Sequence, residues 1–166
     1  LRRQHSGMVK AGTWDTHRRD LSDDTKLVSC QMRWINGADW EETPVFRQML
    51  EQIKQGLTPD ECRTRDDILT RYRKLDSIFE ETKARGRLLE MEELPDFYYR
   101  RAHGATLVHL ARDGTCLRSG GGAHRFAIAH ILDLSEMPSQ LGVVHPEALW
   151  AGHLERLRFS KLRPSP

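Results

Sequence analysis

Eighteen consecutive residues, from Arg112 to Ala129, constrain the fold of this chain more than any other stretch. The order is Arg-Asp-Gly-Thr, then Cys116-Leu117-Arg118-Ser119, then Gly120-Gly121-Gly122, then Ala123-His124-Arg125-Phe126-Ala-Ile-Ala. Asp113-Gly114 is the dipeptide favoured by a two-residue hairpin, so Leu117 is expected to pair back toward Val108. Three glycines directly before an apolar run predict a tight elbow opening a helix over 124–132. Glycines at such a place let backbone N–H groups converge, and the helix dipole favours negative charge there. Arg125, in the first turn, adds a planar fork suited to phosphate oxygens. The residues therefore predict an anion-recognising turn built from Ser119, Gly120, Gly121, Gly122, Ala123, His124 and Arg125.

Other elements are arranged around this stretch. Residues 1–26 are polar and read as an arm or poorly ordered lead-in, with Trp14 as their only large anchor. Leu27–Met32 reads as a short strand. Thr43-Pro44 opens a helix with Phe46, Met49, Leu50 and Ile53 on one face and Gly56 as its stop. Thr58-Pro59-Asp60-Glu61 repeats the start signal as a capping box for a single turn. A long helix over 65–85 ends at Gly86, with Ile68, Leu69, Tyr72, Leu75, Ile78 and Phe79 on its apolar face. Its basic residues Arg71, Arg73 and Lys74 read as a solvated surface. Phe97-Tyr98-Tyr99 has strand character, and 105–111 and 140–144 read as strands. The second of these follows the helix as a crossover. A last helix is expected from Pro146 to about Phe159. All four tryptophans read as packing residues.

The 166 residues carry a net charge of +2. Residues 1–33 hold seven Lys/Arg against four Asp, the middle of the chain is slightly acidic, and residues 147–166 hold four basic and two acidic groups. No dense basic stripe is present, which disfavours coating of duplex nucleic acid. The apolar run near 126–132 is far short of a membrane span. No basic-then-apolar leader opens the chain, and Cys30, Cys62 and Cys116 lack a C-x-x-C pairing, so a reducing, cytoplasmic setting is expected.

The order and spacing of these elements resemble the ParB/sulfiredoxin superfamily. The resemblance rests on the helix ending in Gly86, the Arg-Asp-Gly turn, Gly121-Gly122-Ala123-His124-Arg125-Phe126-Ala127-Ile128-Ala129, and Met137-Pro138 before a strand. It covers residues 64–145. A narrower likeness, to ParB-like proteins of unestablished role, adds Trp14-Asp15, Trp40-Glu41-Glu42-Thr43 and His145. The resemblance implies an α/β (α+β) fold: a small mixed sheet with packed helices over 64–160, preceded by an arm and helical extension over 1–63, together one compact unit. It implies that the glycine elbow binds nucleotide phosphates, with ATP or another NTP and Mg²⁺ as the ligand. His124 and Arg125 would be the groups at the chemistry, and Glu41, Asp113 and His145 additional site residues. NTP hydrolysis or phosphoryl transfer to a small-molecule acceptor are the reactions open to it. A nucleic-acid-binding module and a non-catalytic partner-binding domain are the alternatives.

Two departures narrow the reading. Ala123 stands where sulfiredoxins carry the catalytic cysteine, so sulfinic-acid reduction by that route is not expected. Gly122–Ala127 lacks the Glu and two of the arginines of partition proteins, and about twenty residues after His145 are too few for their further domains. The cysteines and histidines show no zinc spacing, and a structural zinc is not expected. Asp39, Glu41 and Glu42 are read first as a charged helix entry that suits the dipole.

Overall fold

A computed structural model describes residues 1, 3–90, 93–94 and 106–158. Among these the architecture is α+β, with six α-helices and a three-stranded mixed sheet. The helices are α1 (Thr25–Trp34), α2 (Pro44–Lys54), α3 (Arg65–Arg85), α4 (Ala123–Ile131), α5 (Pro146–Trp150) and α6 (His153–Arg158). The strands are β1 (Thr106–Leu110), β2 (Cys116–Ser119) and β3 (Ser139–Val144), in the order β2-β1-β3. Phe97-Tyr98-Tyr99, Ala105 and the chain beyond 158 lie outside the described residues. The described chain forms two compact units. One comprises 1–19, 89–125 and 135–166, the other 20–88 and 126–134.

In the second unit, α2 and α3 follow the sequence pattern closely. Thr43 sits at the N-cap with Pro44 first in the helix, and Gly56 turns out at φ 79°. The Thr43 hydroxyl does not cap. It donates to the Trp40 carbonyl, and the α2 amide of Val45 is met instead by Ser29 Oγ of α1 at 3.0 Å. α3 starts at a true capping box, Thr64 with Asp67, and ends on left-handed Gly86. The turn at Pro59–Glu61 forms without the expected capping box, since Thr58 makes no side-chain cap.

The strand expected over Leu27–Met32 is a helix. Asp24 accepts from the amides of Lys26 and Leu27 and thereby starts α1, which buries Leu27, Ser29 and Cys30 on one side. An N-cap that satisfies two orphan amides outweighs the weak strand preference of Val and Cys. Asp76 of α3 gathers the neighbouring aromatic cluster. It accepts from Trp34 Nε1 at 2.8 Å, Trp40 Nε1 at 3.0 Å and Arg33 Nη2 at 3.0 Å. Trp34 stacks on Phe79 at 4.3 Å, and Trp40 is buried.

In the first unit, β1 pairs antiparallel with β2 and parallel with β3. The hairpin register differs by one from the expected one: Leu117 lies opposite His109, and Val108 opposite Arg118. The loop holds three residues, because Ala111 N donates to Thr115 O and Gly114 N to Ala111 O, with Gly114 at φ 83°. That is a type I turn closed by a left-handed glycine rather than the two-residue turn.

The N-terminal arm is ordered against the sheet. Gly7 N donates to Gly142 O, Val144 N to Met8 O and Lys10 N to Val144 O, so the arm lies along the outer edge of β3. Asp15, 1% exposed, takes Arg112 in a two-pronged ion pair at 2.8 and 2.9 Å and also accepts the Arg112 amide. The expected last helix is two short ones, α5 and α6, parted at Gly152 with φ 69°. Trp150, read as a packing residue, is 82% exposed.

Candidate functional site

The elbow belongs wholly to the first unit. Ser119 ends β2 opposite Leu107, Gly120 and Gly121 are exposed, and α4 begins at Ala123. Gly120 and Gly122 adopt φ of 68° and 78°, the left-handed region that glycine enters without steric penalty. They differ in surroundings. A Cβ on Gly120 would meet nothing within 4 Å, whereas one on Gly122 would lie 2.5 Å from Thr106 Cα and Oγ1. Thr106, fully buried in β1, donates its hydroxyl to the Gly122 carbonyl at 3.2 Å. A peptide's C=O and N–H point opposite ways, so this bond turns the Ala123 amide away from β1. Among the described residues, the amides of Gly121 and Gly122 make no hydrogen bond. The elbow thus presents donors at the start of a nine-residue helix.

His124 and Arg125 stand half-buried in the first turn of α4. Arg125 Nη2 donates to the Leu89 carbonyl, which ties the chain after α3 to the elbow. Sequence reasoning assigns Arg125 an acidic partner or a ligand; a backbone carbonyl serves in part.

The additional site residues are placed as follows. Asp113, exposed in the hairpin loop, accepts from Thr115 N at 3.0 Å and pairs with Arg18 at 2.8 Å. The amide and then the guanidinium hold its carboxyl down to about 2. His145 is buried and caps α5: Nδ1 accepts from Glu147 N at 3.3 Å, while Nε2 lies 3.2 Å from the Gly12 carbonyl. Glu41, in the second unit, pairs with Arg65. Glu42 accepts the Asp39 amide as part of a capping box over Trp40–Glu42.

Thiol chemistry finds no activated group. Burial pushes the Cys30 thiol up to about 12, and desolvation also raises Cys62 and Cys116. The described residues hold no group of three or more His, Cys, Asp or Glu side chains able to share a metal ion. None of their helices is long and apolar enough to cross a membrane.

Sequence reasoning missed two features. One is a cleft of about 730 Å³ in the second unit, lined by Arg33, Trp34, Asp76, Phe79, Lys83 and Leu132 among others. Its polar centre, Asp76, is already engaged by Arg33 and two indoles. The other is Thr106, whose partner lies sixteen residues away and carries no local signature. Comparison with protein-family models, curated proteins and solved structures gives no match to this chain.

Proposed function

We propose that the Ser119–Arg125 elbow binds the phosphates of a nucleotide, in the manner implied by the ParB/sulfiredoxin resemblance. One observation carries the reading. The Gly121 and Gly122 amides have no acceptor among the described residues and stand at the N-terminus of α4, where backbone donors and the helix dipole both favour an anion. Arg125 contributes a charged fork whose Nη2 is fixed by Leu89, and His124 stands beside it as the proton-donating group. The chemistry this supports is NTP hydrolysis or phosphoryl transfer to a small molecule, driven by positioning and charge neutralisation. Magnesium fits here as an ion carried in by the phosphates themselves, which needs at most one or two protein carboxylates.

The test is a thermal-shift panel of ATP, GTP, ADP and tripolyphosphate, with and without Mg²⁺. A ligand at a hundredfold its dissociation constant adds about 2.7 kcal/mol of stability. The expected result is a saturable shift with base preference that is lost in Arg125→Ala. An unchanged shift in the variant, or none in the wild type, rejects the site.

A further inference from the structure

One peptide of β3 connects a buried histidine to the N-terminal arm. The carbonyl of Gly142 accepts from Gly7 N at 2.8 Å, and the N–H of Val143, on the same peptide, donates to His109 Nδ1 at 2.8 Å. The ladder explains why a side chain takes that amide. Between Val108 and Leu110 the β1–β3 register shifts, so the amide finds no β1 carbonyl and the His109 ring fills the gap. Gly142 makes room for it, since a Cβ there would lie 2.2 Å from Nδ1. Accepting on Nδ1 fixes the neutral ring with its proton on Nε2. His109 is 4% exposed, and its Nε2 has no hydrogen-bond acceptor among the described residues. Trp14 of the arm stands edge-on to this ring at 5.9 Å and also contacts the ring of His145, whose Nε2 meets Gly12 of the arm.

We propose that His109 is an acid-sensitive latch for the N-terminal arm: proton uptake at Nδ1 breaks the Val143 bond and releases Gly7–Trp14 from the edge of β3. A proton on Nδ1 sets two donors face to face. It also places an imidazolium in a buried site where neither nitrogen has an acceptor among the described residues, a state that burial penalises. The peptide that loses Val143's bond is the one that holds Gly7, so outward movement of the arm both hydrates the cation and frees that peptide.

Surrounding charges favour the same outcome. Burial, the largest cause, lowers the His109 pKa, and like charge from His5 acts in the same direction. β3 carries no ionisable side chain. Arg118 of β2 is in register with Val108, and Asp15 is committed to Arg112. Glu147 offers its amide to His145, and His153 packs on Gly114. With its folded pKa lowered, His109 favours the folded arm fully above the unfolded value of about 6.5. That contribution falls as pH drops from there toward the folded value.

Amide hydrogen exchange by NMR on the full chain, between about pH 7.5 and about pH 5 and corrected for intrinsic exchange, tests this. Protection at Gly7, Lys10, Val143 and Val144 should fall about tenfold for each unit by which the folded pKa is lowered, while Ile68 and Tyr72 of α3 stay protected. In His109→Asn, whose Oδ1 accepts the same amide without titrating, the fall should vanish. An equal fall in that variant overturns the proposal. Should the variant not fold, imidazole ¹⁵N shifts in the wild type decide. A proton on Nδ1 at neutral pH, or titration of His109 with the arm's protection unchanged, refutes the latch.

Discussion

Two glycines of the elbow share a left-handed φ and differ in what surrounds them, which separates backbone strain from steric exclusion. Gly120→Ala adds a methyl to open space, so only the left-handed penalty of about 1–2 kcal/mol applies. Gly122→Ala adds the same penalty and drives Cβ into the backbone of β1, which cannot swing aside as a flexible side chain would. Denaturant unfolding should therefore show Gly120→Ala folded and modestly weakened, and Gly122→Ala far more so. Equal losses would mean that the contact with Thr106 has no consequence. Asp15 makes the matching case for a buried charge. Arg112 holds its carboxyl well below the ordinary range against the opposing pull of burial. Asp15→Asn should cost about 1.5–3 kcal/mol at neutral pH, the scale of hydrogen bonds to charged groups. A depressed carboxyl stabilises in full only above its unfolded value and loses that contribution on the way down to its folded one. The gap to the wild type should therefore narrow progressively as pH falls below about 4. A gap independent of pH would remove the ion pair from the account.

Among the elements, those with strong local punctuation were legible and those fixed by distant partners were not. α3 was readable because its 3.6-residue apolar stripe and the stop at Gly86 agree. α1 was misread because its cap, Asp24, lies in the acidic run Asp20–Asp24 and its buried face is small, Leu27 with Ser29 and Cys30. Asp24→Ala should lower stability by about 1 kcal/mol in thermal unfolding, as loss of an N-cap does. No change would argue that packing alone holds α1. The hairpin missed its register by one residue because Asp-Gly fits a left-handed third loop position as well as a two-residue turn. The order of the arm was invisible for another reason. Its bonds run to Gly142, Val144 and Arg112, more than ninety residues away, and no local pattern encodes them. At the candidate site the glycines, His124 and Arg125 were legible as a local motif. Thr106 and the Leu89 carbonyl were not, being supplied by chain far from the elbow.

For the molecule as a whole, neither unit is one continuous stretch of chain, and the division falls inside α4. Ala123–Arg125, with the elbow, belong to the first unit, and Phe126–Ile131 to the second. The residues proposed to meet phosphate are therefore covalently continuous, through one run of helix, with the unit that contains α1, α2 and α3. Ala127, fully buried at the middle of α4, is the place to test what that continuity does. Proline there removes an intrahelical bond and clashes with the preceding turn, a loss of about 3 kcal/mol or more. If the helix couples the units, Ala127→Pro should reduce amide protection both at Val143 in β3 and at Tyr72 in α3, within one unfolding transition. Loss at one of these positions with full protection at the other would show that the units open separately. The elbow's phosphate affinity would then depend on the first unit alone, and nucleotide binding should leave the melting of α3 unmoved.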